Sequence, residues 1–218
     1  VAADFGVQAR FIVALWAVET DFGRFTGGFD LVPALATLAY EGRRADLFAS
    51  ELIEALRIID RGEAPPKGLK GSWAGAMGQS QFMPSSFNRM AVDYDGDGRR
   101  DIWSSQPDVF ASMANYLRQS GWNGQQTWGR AVRIPAGLET DAGLAISRPL
   151  ADWQKLGIRL PDGGALPQVA MNASLILPDG AGGSAFLVYD NYRVLMQWNR
   201  STYFATSIGL LADMIGDA

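Results

Sequence analysis

The sequence predicts a mainly helical α+β protein, a helical domain with a small inserted lobe of short strands. Three observations predict it. Apolar residues recur at helical spacing along most of 1–122, beginning with FIVALWAV at Phe11–Val18. Between Gly124 and Gly183 the pattern changes to short apolar pieces (AVRIP, SLILP) among many Gly and Pro, which fits strands and turns better than long helices. Helical spacing then returns over Ser201–Ile215. The expected division is one domain built from 1–123 and 185–218 with 124–184 as the inserted lobe. At 218 residues the chain is long enough to bury a sizeable core.

Each element has its own signal. Residues from Ala9 to Val18 mix good helix formers with β-branched residues and read as a helix buried on most sides, ending at Glu19. After the Gly-rich GRFTGGFD, two helices are expected over Leu31–Tyr40 and Arg44–Ile59. In the second, Leu47, Phe48, Leu52, Ile53, Ala55, Leu56, Ile58 and Ile59 make a broad apolar face. Gly62, Pro65, Pro66 and Gly68 end it. A Gly- and Ser-rich loop then runs to Ser80, followed by a short helix over Pro84–Tyr94 and an Asp/Gly loop over Asp93–Asp101. Pro107–Ser120 is an amphipathic helix with Val109, Met113, Ala114 and Leu117 facing inward. The stretch SAFLVYDNYRVLMQWN alternates weakly and reads as one or two strands or a loop entering a helix.

Composition removes whole classes of function. The chain is 48% apolar, 11% aromatic and 19% charged, a folded composition. Its net charge of −4 gives no electrostatic reason to expect nucleic acid or an anionic membrane surface. Without His there is no Ser-His-Asp triad, HExxH zinc site or imidazole shuttle. Without Cys there is no thiolate catalysis, zinc knuckle or disulfide. Proton transfer is left to carboxylates, Lys and Tyr. The longest apolar run, Phe11–Val18, is too short to span a bilayer, so no transmembrane segment is expected. A monomer is expected.

Three features carry chemistry. Glu19 ends an apolar helix, where poor hydration and the negative end of the helix dipole both disfavour the charged form. The expected result is a raised pKa and a proton available near neutral pH, as a general acid in glycoside cleavage needs. Alternatively Glu19 forms a structural salt bridge with Arg24, Arg43 or Arg44. The second feature is GSWAGAMGQSQFMPSSF at Gly71–Phe87, where Ser72, Gln79 and Gln81 offer neutral hydrogen-bonding groups among Trp73, Met77, Phe82 and Met83. Such a mixture suits an uncharged sugar ring, and equally a tight packing segment.

The third is DYDGDGRRDIWS at Asp93–Ser104. Asp93, Asp95, Asp97 and Gly98 match positions 1, 3, 5 and 6 of an EF-hand loop, with Arg99 offering its carbonyl and Asp101 acting directly or through water. Ser104 stands where the loop needs a bidentate Glu, so Asp108 is the nearest substitute. The competing reading is an Asx-turn loop held by Arg99 and Arg100. Any metal here is expected to be structural, with none needed for catalysis.

Together, ALWAVETDFGRFTG, LATLAYEGRRADLFASEL, GSWAGAMGQSQFMPSSF, AVDYDGDGRRDIWSS and ASMANYLRQSGW resemble the lytic murein transglycosylase B family, glycoside hydrolase family 103. Agreement is dense from Gly6 to Trp122 and looser from Tyr189 to Tyr203. The resemblance implies a lysozyme-like helical domain acting on peptidoglycan in the periplasm. It also implies cleavage of the MurNAc-β-1,4-GlcNAc bond to a 1,6-anhydroMurNAc end, with a single Glu as acid and base. Ordinary hydrolysis calls for two carboxylates, for which Asp21 and Asp30 remain candidates. A lysozyme-type muramidase using water, or a catalytically idle peptidoglycan-binding module, are the alternatives.

Carried over by position, the resemblance makes Glu19 the catalytic residue. It places Ser72, Gln79 or Gln81 and Tyr116 along the glycan, and Arg43 and Arg44 near lactyl or peptide carboxylates. Trp198 and Asn199 match an aromatic–Asn pair, with Tyr203 close behind. Trp replaces the more usual Tyr at 198, so no phenolic hydroxyl is offered there. The family's acidic loop implies a structural calcium with Asp108 as its last ligand.

Overall fold

The computed structural model describes residues 1–65 and 67–216. Pro66, one of the expected helix terminators, and residues 217–218 of the expected 185–218 segment lie outside the described residues. The chain forms two compact units, Val1–Gln119 and Ser120–Ala218.

The first unit is helical. It runs α1 (Ala2–Phe5), α2 (Ala9–Thr20), β1 (Phe29–Asp30), α3 (Leu31–Glu41), α4 (Ala45–Asp60), β2 (Lys70–Gly71), α5 (Pro84–Met90) and α6 (Gln106–Gln119). The expected helices all form. The faces they bury are narrower than the apolar patterns predict. In α2, Phe11, Ile12, Ala14, Leu15 and Thr20 are buried while Val18 is exposed, so this helix has a wet side. In α4, Phe48, Ala55 and Ile58 face the core whereas Leu47, Ile53 and Leu56 are exposed.

The remaining buried position on α4 is Glu51. Its carboxylate accepts the Ser85 N–H at 2.9 Å and the Ser85 hydroxyl at 2.7 Å. Ser85 lies in the first turn of α5, so the anion satisfies an otherwise orphaned helix donor on the favourable side of the dipole. The inward face expected for α6 holds, with Val109, Met113, Ala114 and Leu117 all buried. It also carries buried Asp108 and Ser112, and Ser112 Oγ accepts the Val92 N–H at 3.0 Å.

The second unit contains β3 (Gly129–Val132), a 3-10 turn at Leu138–Asp141, β4 (Arg148–Pro149), α7 (Leu150–Lys155), β5 (Asn172–Ile176), β6 (Ala185–Val188), α8 (Asp190–Trp198) and α9 (Thr202–Gly216). Its antiparallel sheet has the order β3-β6-β5-β4, with Gly129 and Ser174 both registered on Val188. The expected boundary at 184/185 therefore cuts through a sheet. Residues 185–188 are an inner strand of it, and Leu187 and Tyr189 share one core with Leu150, Trp153, Ile158 and Leu175. The misreading has a physical cause: β6 is buried on both faces, so its residues lack the alternation that marks a half-buried strand.

Helix α9 packs closely on Trp128, a fully buried ring whose Nε1 donates to Asp213 Oδ2 at 2.8 Å. A Cβ on Gly209 would lie 2.1 Å from the Trp128 ring. Gly209→Ala is therefore expected to destabilise the fold by about 1–3 kcal/mol through overpacking. Urea melts of the two proteins measure this, and an unchanged midpoint would contradict it.

Candidate active site

Glu19 sits in the last turn of α2 and is partly buried. Thr20, the next residue, is 1% exposed. The chain then leaves the helix through three left-handed residues, Asp21 (φ 49°), Phe22 (φ 59°) and Gly23 (φ 82°). Two of these are not glycine, so tertiary contacts must hold the turn. Gln79 supplies them. Its Oε1 accepts from Trp16 Nε1 at 2.8 Å, its backbone oxygen accepts from Thr20 Oγ1 at 3.0 Å, and its Nε2 donates to Trp103 O at 2.8 Å. The Gln79 N–H donates to Ile102 O at 2.8 Å, and the Gly23 N–H donates to Thr20 Oγ1 at 3.1 Å. A Cβ at position 23 would meet Gln79 Oε1 at 2.3 Å, so a side chain there would displace the amide.

The fastening continues outward. Gln81 Nε2 donates to Thr26 O at 3.1 Å and to Gly78 O at 2.9 Å. Beyond that, Phe29 pairs with Gly71 and Asp30 with Lys70 in the β1–β2 ladder. The segment 19–30 is thus laid along 70–81, which brings Glu19, Ser72, Gln79 and Gln81 into one layer. Ser72 Oγ accepts the N–H groups of Ala74 at 3.3 Å and Ala76 at 3.0 Å, which leaves its O–H to donate. Tyr116 packs its ring 5.8 Å from Phe82 in the same layer. Burial raises its phenol pKa, the nearby Arg89 charge opposing, so the hydroxyl stays protonated.

Arg43 and Arg44 line a groove of about 340 Å³ with Leu38, Glu41, Phe48 and Trp73. Trp73 is 63% exposed and also lines an adjoining groove of about 390 Å³ with Phe29, Pro33 and Leu38. Trp198, Asn199 and Tyr203 belong to the second unit: Trp198 ends α8, Asn199 follows it, and Tyr203 lies exposed on α9. Asp21 pairs with Arg24 at 2.6 Å and Asp30 with Lys70 at 2.7 Å, both at the surface. Sequence reasoning passed over Trp16 and Thr20. Trp16 stands three residues before Glu19 on a helix, so the two share a face, and that spacing was the available signal.

With this geometry in view, comparison with known proteins is direct. Residues 1–213 match the family described as "Transglycosylase SLT domain". The chain belongs to that family. Over 97% of its length it is 34% identical to the membrane-bound lytic murein transglycosylase B of Escherichia coli (strain K12), spanning 58% of that protein. It is 46% identical to SltB3 from Pseudomonas aeruginosa, solved in complex with NAG-anhNAM-pentapeptide, with a TM-score of 0.95 over 99% of this chain and 58% of that one. It is 32% identical to Escherichia coli Slt35 in complex with calcium, with a TM-score of 0.86 over 99% of this chain and 68% of that one. The transglycosylase SLT chain therefore spans somewhat over half the length of the first two relatives. Its α+β architecture is the lysozyme-like fold of these enzymes, as the resemblance implied.

The acidic loop of this transglycosylase SLT domain divides the six expected ligands. Oxygens of Asp93, Asp95 and Asp108 lie within 4.8 Å of one another. Asp108 is fully buried, and its carboxylate accepts the N–H groups of Tyr94 at 2.7 Å and Asp101 at 2.8 Å. Asp97 is exposed and accepts the Arg99 N–H at 2.8 Å, an Asx-type bond of the kind the competing reading expects. Arg100 instead reaches outside the loop, donating to both Glu63 oxygens at 2.6 and 2.7 Å. Three converging carboxylates with hard oxygen donors fit a divalent cation such as calcium.

Asp101 is turned away from that cluster. Its carboxylate accepts the N–H groups of Trp103 and Ser104, each at 2.8 Å, and the Ser104 hydroxyl. Burial works against its ionisation, but these hydrogen bonds outweigh burial and hold its pKa below the ordinary 3.8. A carboxyl depressed on folding contributes stability that is fully present above pH 3.8 and is lost as pH falls through the lower folded value. Asp101→Asn is thus expected to flatten the fall of Tm on acidification below that pH. Parallel melting curves for the two proteins would contradict the assignment.

Proposed function

We propose that this chain is a peptidoglycan lytic transglycosylase, acting in the periplasm on the MurNAc-β-1,4-GlcNAc bond and leaving a 1,6-anhydroMurNAc end. The observation that carries the reading is the placement of the carboxylates near the end of α2. Glu19 is partly buried on a helix end fastened to Gln79, Asp21, also partly buried, is held in an ion pair with Arg24, and Asp30 is exposed and paired with Lys70. Hydrolysis with retention or inversion calls for two positioned carboxyl groups. One suffices when the sugar supplies its own nucleophile.

In the proposed reaction the Glu19 carboxylic acid protonates the bridging oxygen as the C1–O4 bond breaks, releasing the GlcNAc end. The resulting carboxylate then accepts the proton of the muramic acid C6 hydroxyl as O6 bonds to C1. Glu19 ends as it began and no water is consumed. Arg43 and Arg44 would take lactyl or stem-peptide carboxylates. Ser72 and the Gln81 carbonyl oxygen would meet neutral sugar groups, as would Tyr116, whose hydroxyl remains a donor. Trp198, Asn199 and Tyr203 are assigned to the glycan by family pattern. The anhydro sugar in the SltB3 complex supports the outcome by kinship.

Digestion of purified murein is expected to release muropeptides one water lighter than their hydrolysed counterparts; reducing-end products would mean a lysozyme-type muramidase instead. Glu19→Gln is expected to lower turnover by about 10²–10⁴-fold or more with the fold preserved. Murein that sediments with the unaltered protein but is never cut would identify an idle binding module.

Asp93, Asp95 and Asp108 would hold a structural calcium that ties the loop to α6 and supplies no chemistry to the sugar. Calcium at about 100 times its Kd is expected to stabilise the fold by about 2.7 kcal/mol. The accompanying rise in Tm should vanish in a protein carrying both Asp93→Asn and Asp95→Asn. An identical rise in that variant would place the ion elsewhere.

A further inference from the structure

We propose that Gln79 is a positioning residue for Glu19, a strut between the end of α2 and the segment Ile102–Trp103, and not a glycan contact. This rests on the reading of Glu19 as the acid and base.

Each end of the Gln79 side chain makes a hydrogen bond inside the protein. Trp16 Nε1 carries a hydrogen, so the atom 2.8 Å from it must be the amide oxygen; Trp103 O is an acceptor, so the atom 2.8 Å from it must be the amide nitrogen. The orientation of the amide is therefore fixed by its two partners. The backbone of Gln79 is engaged equally, its N–H donating to Ile102 O at 2.8 Å and its carbonyl accepting from Thr20 Oγ1 at 3.0 Å.

These bonds bracket Glu19. Trp16 is one helical turn before it on the same face, and Thr20 is its immediate neighbour. Gly23 closes the arrangement, because its lack of a side chain lets the amide lie against the turn that follows. A carboxyl group that must reach first a bridging oxygen and then a C6 hydroxyl needs its backbone held to a fraction of an ångström. The strut holds the two residues that flank it.

Thr20 makes the proposal separable from sugar binding. At 1% exposure it cannot touch a glycan, yet its hydroxyl is half of the strut's inner contact. Gln79→Met and Thr20→Val each keep the shape and remove the hydrogen bonding. Each is expected to lower kcat, measured per folded molecule, by about 10- to 100-fold with KM unchanged. In a Glu19→Gln background both should bind chitooligosaccharide as tightly as the parent. Gln79→Met breaks the side-chain bonds to Trp16 and Trp103 O, and Thr20→Val the bond to the Gln79 backbone oxygen; because both loosen the one seat of α2 on residue 79, the double variant is expected to lose less than the product of the two single losses.

Gln79→Glu is the second handle should Gln79→Met fold poorly. It keeps an oxygen for Trp16 but sets a second acceptor oxygen against Trp103 O, so a loss of kcat at least as large as that of Gln79→Met is expected. Weakened oligosaccharide binding with kcat retained would overturn the proposal and make Gln79 a glycan contact. A loss of activity that only tracks the folded fraction, or full kcat in both single variants, would also overturn it. Glu19→Gln in the parent separates the two levels. If that variant still turns over murein, the function reading fails. If it is inactive while Gln79→Met is fully active, only the strut fails.

Discussion

The hydrogen-bond knot around Gln79 is the interaction on which the first unit depends. A helix that ends in consecutive left-handed residues cannot rely on local preference, since Asp21 and Phe22 both adopt a conformation that side chains disfavour. The cost is met by contacts far away in sequence: Trp16 and Thr20 reach Gln79, and Gln81 reaches Thr26. The same contacts dictate which residues can stand nearby. Position 23 has no room for a side chain, and Thr20 must keep its hydroxyl because it both donates to Gln79 O and accepts the Gly23 N–H. Local strain at the end of α2 and the Gly-, Ser- and Gln-rich character of 71–81 are two aspects of one constraint.

That knot is anchored in turn by the acidic loop. Gln79 ends on Ile102 and Trp103, and these are positioned by carboxylates: Asp101 accepts the Trp103 N–H, and buried Asp108 accepts the Asp101 N–H. Burying a carboxylate such as Asp108 is costly unless donors surround it, and here backbone N–H groups of Tyr94 and Asp101 do so. Arg100 secures the outer side, with one guanidinium nitrogen donating to both Glu63 oxygens and the group stacked 4.8 Å over the Phe87 ring. Chains of polar contacts, running beside the fully buried Ile102, connect the loop to the end of α2.

How much of this the sequence discloses follows from the range of each interaction. Periodicity located every long helix, because helical spacing is a local property of the chain. It overstated what α2 and α4 bury, since Val18, Leu47, Ile53 and Leu56 carry the pattern without a partner in the core. It left the stretch holding β6 and α8 open between strands and a loop entering a helix, because the two buried faces of β6 erase the alternation. At the candidate site, the motif strings singled out Glu19, Ser72 and the acidic loop. They did not disclose that Gln79 is turned inward while Gln81 keeps its carbonyl oxygen, because both are neutral amides two residues apart and only the fold distinguishes them. Asp101 and Asp97 look equivalent to Asp93 and Asp95 in the string, and all four cap backbone N–H groups of the loop; only the fold shows that Asp93 and Asp95 also bring an oxygen close to Asp108.

The absence of His also acquires a meaning in this setting. With no imidazole, the proposed chemistry has one carboxyl group serve as donor and acceptor in turn, and this works only if departing and arriving oxygens lie on the same short path. A nucleophile borne by the substrate meets that condition, because the C6 hydroxyl is tethered to the ring being cleaved and needs no separate base to recruit it. Tethering replaces the entropy loss of capturing a water molecule. What the protein must then provide is a single proton-carrying group whose backbone does not drift between the two transfers. The hydrogen bonds of Trp16 and Thr20, one on each side of Glu19 in the chain, are of the kind the proposed chemistry would require.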